Sequence, residues 1–418
     1  MPKERIVTAI DIGSTKVSTV ISTVYDNKIS VIGVSGDVES KGINKGSVVD
    51  IDSAVESISN SLERAERMAG VSVSSAFVTV NGSHIETLNS HGVVAVNPES
   101  AEITGNDVLR VTEAAQAISL PSSRQVIHVI PRDFIVDSQD GIKDPVGMVG
   151  VRLEVETNII HGSATAMRNL SKCVEQVGVD VEDLVFTGIA AAEAVLTDTE
   201  KELGTVLVDI GGGTTSIVAF VEGSPIHSTS FAVGAKHITS DLAIGLRTRL
   251  DNAEKLKLKL GRDCPIAKTG IDRTKKDDMI DVSEFDLDTK ELPKRFLHEI
   301  VNARTKEIFN MVGLELSKVG LSGKLPAGCV VTGGGANTCG IENMGKSVLK
   351  MPIRVGKPKG VTGLIDEIQD PAFAASVGTV LYGADLLRNS SVLSFDRGRG
   401  KINLRFANLF EKLKSFLP

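Results

Sequence analysis

Two stretches of this chain carry the same order of apolar and polar positions. Residues 6–12 and 205–210 are unbroken apolar runs that each end in Asp, and a Gly follows. Each chain segment then re-enters an apolar run, at 16–24 and 215–221, with a third at 29–34 and 226–231. A run that does not alternate fits a strand buried on both faces. The Gly-bearing elbow between two such runs predicts a β-hairpin. Apolar positions then recur at helical spacing over 51–68 and 235–250. One supersecondary unit is therefore used twice.

The segments after the two units differ. Residues 82–161 hold strand-like stretches at 92–96, 125–136 and 149–155 and a helical one at 106–117, an α+β subdomain in its own right. Residues 241–304 are more polar, with an Asp- and Lys-rich loop at 262–278, and 292–311 read as helical. A helix and strand return at 162–187, and 305–388 supply a helix, a strand into Gly333 and a closing helix at 370–387. The chain thus divides into a first domain (1–81 and 162–198) with an insert (82–161), and a second (199–240 and 305–388) with a smaller insert (241–304). A polar linker (389–400) and a terminal segment (401–418) complete it.

Bulk properties narrow the picture modestly. The 418 residues suffice for several cores, and 41% hydrophobic with 24% charged residues is ordinary for a globular chain. A net charge of -7 argues against a nucleic-acid-binding body. Four cysteines lie far apart, without CxxC spacing or nearby histidines, which argues against a zinc site or a disulfide framework. The N-terminus runs straight into a strand with no signal-peptide core, and no apolar run approaches the ~20 residues of a membrane span. A cytoplasmic body is expected.

The chemistry sits at the elbows. The first holds Asp11, Gly13, Ser14, Thr15 and Lys16; the second holds Asp209, Gly211, Gly212, Gly213, Thr214 and Thr215. Glycine lets backbone N–H groups approach phosphate oxygens, and hydroxyls at the tips add donors. An Asp at each strand end can hold water on Mg²⁺ beside those phosphates. Later, Thr332 leads into Gly333, Gly334, Gly335 and Ala336, where an apolar strand can pass flat against a large planar or sugar-bearing ligand. None of these runs matches GxGxxG or the Walker pattern.

Together these motifs resemble the actin, sugar-kinase and DnaK-type superfamily. The resemblance implies an α/β, actin-like (ribonuclease-H-like) two-domain fold binding ATP. The two elbows would be its phosphate motifs and 332–336 its adenosine motif. Glu254 and Lys257 look like the family's ExxK helix, whose Glu and Lys meet ribose and adenine, or they form a solvated i,i+3 pair. Small residues at 188–196 and 374–383 match the two helices that cross beneath the cleft.

A closer resemblance, across nearly the whole chain, is to the FtsA family of bacterial cell-division proteins. It rests on the opening AIDIGSTKV, on Gly42 to Gly46, on Val80 to His84, and on Gly234 with Thr239 to Leu242. The insert at 82–161 also falls where that family carries its own subdomain. The resemblance implies filaments of self-associated copies on the cytoplasmic face of the membrane, at the division site, working with other divisome proteins. It implies capture of the FtsZ C-terminal peptide by the second domain's insert, where Lys294, Arg295 and Arg304 offer basic groups to an acidic peptide or form ion pairs on a helix face. A pilus-assembly adaptor of the PilM type and an actin-fold phosphotransferase are the alternatives.

Two further features bear on function. In the terminal segment, Ile402, Phe406, Leu409, Phe410, Leu413, Phe416 and Leu417 share one helical face, with Lys401, Arg405, Lys412 and Lys414 around it. That pattern predicts a basic amphipathic helix for an anionic membrane surface. Active relatives place a Glu or Gln at the start of the first crossing helix to position water, and here that position aligns with Gly188. Asp209 remains as the catalytic side chain, which predicts weak hydrolysis at most.

Overall fold

A computed structural model describes residues 5–25, 28–96, 102–262, 279–285 and 289–393, with Arg262 and the last five as backbone. The terminal segment predicted as an amphipathic helix, 401–418, lies outside the described residues.

The first unit opens with β1 (Arg5–Ile12), β2 (Lys16–Tyr25) and β3 (Lys28–Glu39), and α1 (Ile51–Ala69) comes after them. Asp50 caps α1 by accepting the Ser53 N–H, and Gly70 ends it in left-handed backbone at φ 71°. Next come β4 (Ser75–Val80) and the insert: β5 (Glu86–Ala95), α2 (Gly105–Gln116), β6 (Arg124–Val136), β7 (Gln139–Ile142) and β8 (Arg152–Ser163). A reciprocal Thr104–Asp107 capping box starts α2. The chain returns through α3 (Ala164–Glu175), β9 (Asp180–Phe186) and α4 (Thr187–Val195).

The second unit repeats the first with β10 (Thr205–Ile210), β11 (Thr215–Val221), β12 (Ser224–Phe231) and α5 (Ala235–Leu246). After it come α6 (Leu250–Arg262), α7 (Lys294–Lys318), β13 (Gly328–Thr332), α8 (Ile341–Leu349), β14 (Ile353–Val355) and α9 (Ala374–Leu393).

The sheets show the duplication. In the first, the order is β9-β4-β1-β2-β3, with a short edge strand at Thr362–Gly363. In the second it is β12-β11-β10-β13-β14. Each central strand pairs antiparallel with its hairpin mate and parallel with the strand on its other side. The register sets Asp11 against Ser18 and Asp209 against Ser216, so the two carboxylates occupy matching positions. Helices pack on both faces of the first sheet, α1 on β2 and β3 and α9 on β1 and β4, which explains why β1 is apolar without alternation. The insert is a separate four-stranded sheet, β5-β8-β6-β7, with α2 over its own small core of Val108, Val111, Phe134 and Leu153.

Several elements differ from the pattern-based reading. The helical period at 235–250 breaks, because Arg247 turns left-handed at φ 54° and Thr248 and Asn252 bond the Phe285 carbonyl instead. The closing helix begins at Ala374, after a short turn capped by Asp370, and extends to Leu393 into the stretch read as linker. Cys173 and Cys329 are buried free thiols, whereas Cys339 is disulfide-bonded, against the expectation. No helix among the described residues is long and apolar enough to cross a membrane.

Beneath the cleft, α4 and α9 cross. A Cβ at Gly378 would stand 1.6 Å from the Ala190 carbonyl oxygen, so only glycine permits this approach.

Candidate functional site

A cleft of about 760 Å³ opens between the two sheets, a size suited to a nucleotide-scale ligand. Both hairpin elbows face into it. The Asp11 carboxylate accepts from Thr79 Oγ1 at 2.7 Å and from Ser376 Oγ at 3.5 Å. Burial raises its pKa, while Thr79, Lys16 and Ser376 act to lower it. Asp209 is buried and accepts no side-chain hydrogen bond among the described residues; burial first, and then the charge on Asp11, push it up to about 7. Lys16 lies 3.7 Å over the Phe373 ring, its pKa lowered by burial against the pull of Asp11 and Asp370.

The hairpin tips touch each other. A Cβ at Gly212 would fall 1.6 Å from Thr15 Oγ1, and one at Gly213 would fall 2.7 Å from Ser14 Oγ. Gly333 closes the floor: it adopts φ +81° and any Cβ there would meet Asp209 Oδ1 at 2.2 Å. Gly334 and Gly335 line the same wall.

At the opposite end, Glu254 and Lys257 reach the cleft from α6. Lys257 Nζ bonds Glu254 at 2.7 Å and Thr239 Oγ1 at 2.9 Å, and Thr239 donates in turn to Glu254. The pair is an i,i+3 ion pair on the cleft wall, with the Lys257 side chain largely buried.

Three expected residues lie elsewhere. Gly213 lines a small pocket beside the cleft. The Thr215 hydroxyl donates to the Val233 carbonyl at 2.8 Å and is absent from the cleft lining. Ala336 packs into the core of the second domain. Gly188 also faces inward, since a Cβ there would meet Phe186 and Val218 at 2.7 Å. The residue of α4 that lines the cleft is Thr187, bonded to Ser216 Oγ at 3.2 Å. It too lacks a carboxylate or amide.

Sequence reasoning missed the groups that join the domains. Asn81, at the end of β4, donates to Thr214 Oγ1 at 3.0 Å and accepts from Ser216 and Ser230 at 3.0 and 2.8 Å. Lys236 donates to the Ser14 carbonyl at 2.6 Å. Asn81 stands in a motif that carries the family resemblance, but nothing local announces a partner on a distant hairpin.

The arrangement matches known proteins. Residues 82–161 match a family model described as the SHS2 domain inserted in FtsA, and 206–378 match one described as cell division protein FtsA. A cell division protein FtsA from Pseudomonas aeruginosa is 36% identical over 415 residues, covering 99% of this chain and 97% of the relative. The chain belongs to the FtsA family. FtsA proteins of Borreliella burgdorferi and Escherichia coli K12 are 37% and 33% identical, covering 90% and 91% of each pair. Among solved structures, the PilM–PilN type IV pilus biogenesis complex has a TM-score of 0.61 at 15% identity, covering 90% of this chain and 98% of that one. MreB5 of Spiroplasma citri bound to ADP has a TM-score of 0.52 at 14% identity, covering 95% and 100%. The fold is the actin-like one with an SHS2 insert, and the chain is a member of a cell-division family.

In the smaller insert, Arg304 of α7 forks onto Asp241 of α5 at 2.7 and 2.9 Å and bonds Glu307 at 2.6 Å. Its guanidinium is engaged within the chain, clamping the two helices. Arg295 pairs with Glu299 on the exposed face, and Lys294 opens the same helix.

Proposed function

We propose that this FtsA-family chain binds ATP with Mg²⁺ in the cleft as an assembly ligand. Filaments of it would then tether FtsZ to the anionic cytoplasmic face of the membrane during division. The observation that carries the nucleotide reading is the meeting of two Asp-tipped glycine hairpins, with Asp209 buried and accepting no side-chain hydrogen bond among the described residues. Two carboxylates near each other in a buried site repel, and a divalent cation relieves both. The donor set fits Mg²⁺, which takes one or two carboxylates and completes its shell with phosphate oxygens and water. Among the described residues no cluster of three or more His, Cys, Asp or Glu could hold a metal alone. Asp11 and Asp209 would hold the ion, which neutralises phosphate charge. The ADP in the MreB5 structure supports the same use of the fold.

The residues facing the phosphates bind and orient. Thr187 cannot accept a proton from water, and Asp209 alone makes turnover slow. The terminal segment supplies a weak membrane foot, and a filament of many such feet binds with high avidity. Lys294, Arg295 and Arg304 stand on the insert as the surface for the FtsZ C-terminal peptide, Arg304 sharing its carboxylate partners.

Co-sedimentation with anionic vesicles tests the reading. The full chain with ATP and Mg²⁺ is expected to pellet and to carry a labelled FtsZ C-terminal peptide with it. A chain truncated after Gly400 is expected to stay in the supernatant while still binding ATP. Undiminished pelleting of the truncated chain would refute the foot, and absence of ATP binding would refute the nucleotide.

A further inference from the structure

A buried side chain of the insert touches the framework of the cleft. His128 stands on β6, opposite Ile160 of β8, and is only 1% exposed. Its Nε2 accepts the Phe186 N–H at 3.0 Å. Phe186 ends β9, an edge strand of the first sheet, and precedes the first turn of α4. An edge strand turns N–H groups away from its own sheet, and such groups need an acceptor once they are covered. Here the acceptor comes from the insert, not from the domain that hosts it.

The same imidazole packs against the second crossing helix. Its ring meets that of Tyr382 on α9 edge to face, at 5.6 Å between centroids and 73° between planes. Tyr382 is itself buried, lies 6.2 Å from the Phe77 ring of β4, and donates its hydroxyl to Asp183 of β9 at 2.9 Å. From Phe186 onward the packing leaves no slack. A Cβ at Gly188 would stand 2.7 Å from both the Phe186 ring and Val218 of β11, so a shift of Phe186 carries the first turn of α4 with it. That turn presents Thr187 to the cleft. The Ser216 hydroxyl gives its proton to Asn81 Oδ1 at 3.0 Å, so in its 3.2 Å bond with Thr187 the threonine is the donor. Asn81 donates in turn to Thr214 of the second hairpin at 3.0 Å.

We propose that His128 is a positioning residue for the cleft: by holding the Phe186 N–H it sets the first turn of α4 and the Thr187 hydroxyl, and it thereby couples the insert to the nucleotide. The inference rests on the nucleotide reading above and gives that site a second point of control. Opening the insert's strands around β6 withdraws the imidazole, frees Phe186 and loosens the donor chain that runs from Thr187 to Thr214. A nucleotide that favours the closed arrangement of the cleft therefore resists that opening. By reciprocity, whatever holds β6 in place tightens nucleotide binding by the same factor.

Hydrogen exchange of the full chain with and without ATP and Mg²⁺ tests this, read at insert amides that open locally rather than by global unfolding. In the wild type, nucleotide is expected to slow these amides on β6 and β8 by about fivefold or more, the lower end of coupling between sites. His128→Gln keeps an acceptor on a flexible stem and is expected to retain the response. His128→Leu fills the space without an acceptor and is expected to lose it, while the glycine hairpins are still slowed. His128→Asn, too short to reach Phe186, makes the same test if the leucine variant does not fold. Each variant is compared with itself, with and without nucleotide, so a merely structural role leaves the response unchanged. Insert exchange that ignores nucleotide in the wild type overturns the coupling, as does a response kept by the leucine or asparagine variant or lost by the glutamine one. Each of these leaves the nucleotide site standing. A wild-type chain whose hairpins are not slowed either overturns both.

Discussion

The two glycine hairpins share strand order, register and an Asp at the same position, yet their carboxylates live differently. Asp11 is held by the hydroxyls of Thr79 and Ser376 and has the Lys16 ammonium nearby. Asp209 has no such donor among the described residues, is buried and feels the charge of Asp11. The duplicated motif has thus been divided into one carboxylate that the protein satisfies and one that it leaves without a side-chain donor among the described residues. The difference arises because β4 and α9 bring Thr79 and Ser376 to the first hairpin, whereas Gly333, which has no side chain, faces the second.

Breaking the contact between the hairpins should have the largest effect. Gly212→Ala places a methyl group on Thr15 Oγ1 and forces the tips apart. ATP affinity measured by calorimetry is expected to fall about a hundredfold or more, the loss that displacing an aligned group by an ångström brings. Gly13→Ala, whose Cβ would meet only the Lys16 carbonyl of its own hairpin at 2.9 Å, is expected to cost less.

Removing the Asp209 charge sharpens the contrast. Its folded pKa of about 7 stands above the ordinary 3.8, so the folded chain keeps a proton that the unfolded chain has lost. Stability in the ligand-free protein therefore falls as pH rises from about 4 towards about 7, and the penalty is fully present above that. Asp209→Asn is expected to raise stability to urea at pH 8 by up to roughly 4 kcal/mol, with the gain shrinking towards pH 4. The same variant is expected to lose Mg²⁺-dependent ATP binding. A stability gain that is equal at both pH values would show that Asp209 does not titrate in this window.

The smallest effect tests the other side. Thr79→Val removes the hydroxyl that Asp11 accepts and is expected to cost about 1–2 kcal/mol of stability at pH 8, in the same urea measurement. Among the described residues Asp209 has no counterpart to that hydroxyl. A loss that is absent at all pH values would mean that Asp11 is satisfied in some other way.

Much of the fold and the site is legible in the sequence. The repeated apolar runs locate both sheets, because strands buried on two faces leave an unbroken apolar signal. The glycine elbows locate the cleft because close backbone approach leaves a compositional mark. Asn81 and Lys236 are not legible, since their partners lie on the other domain and a single polar residue has no period. The break at Arg247 is hidden for a related reason: helical spacing continues through it, and only bonds to Phe285 reveal the turn. Thr187 replaces Gly188 in the cleft because one residue along a helix turns the side chain by about 100°.

The insert has one more consequence. It departs at Gly82 and returns at Gly162, and these ends are tied together: His84 Nδ1 accepts the Ser163 N–H at 3.2 Å, and Arg124 donates to the His84 carbonyl at 2.9 Å and to His161 Nδ1 at 3.1 Å. A detour whose exits coincide adds little closure entropy to the domain that hosts it. The subdomain is therefore a cassette: it can be exchanged or elaborated over evolutionary time without shifting the register of either sheet, so its outward face can diverge while the cleft between the sheets stays as it is.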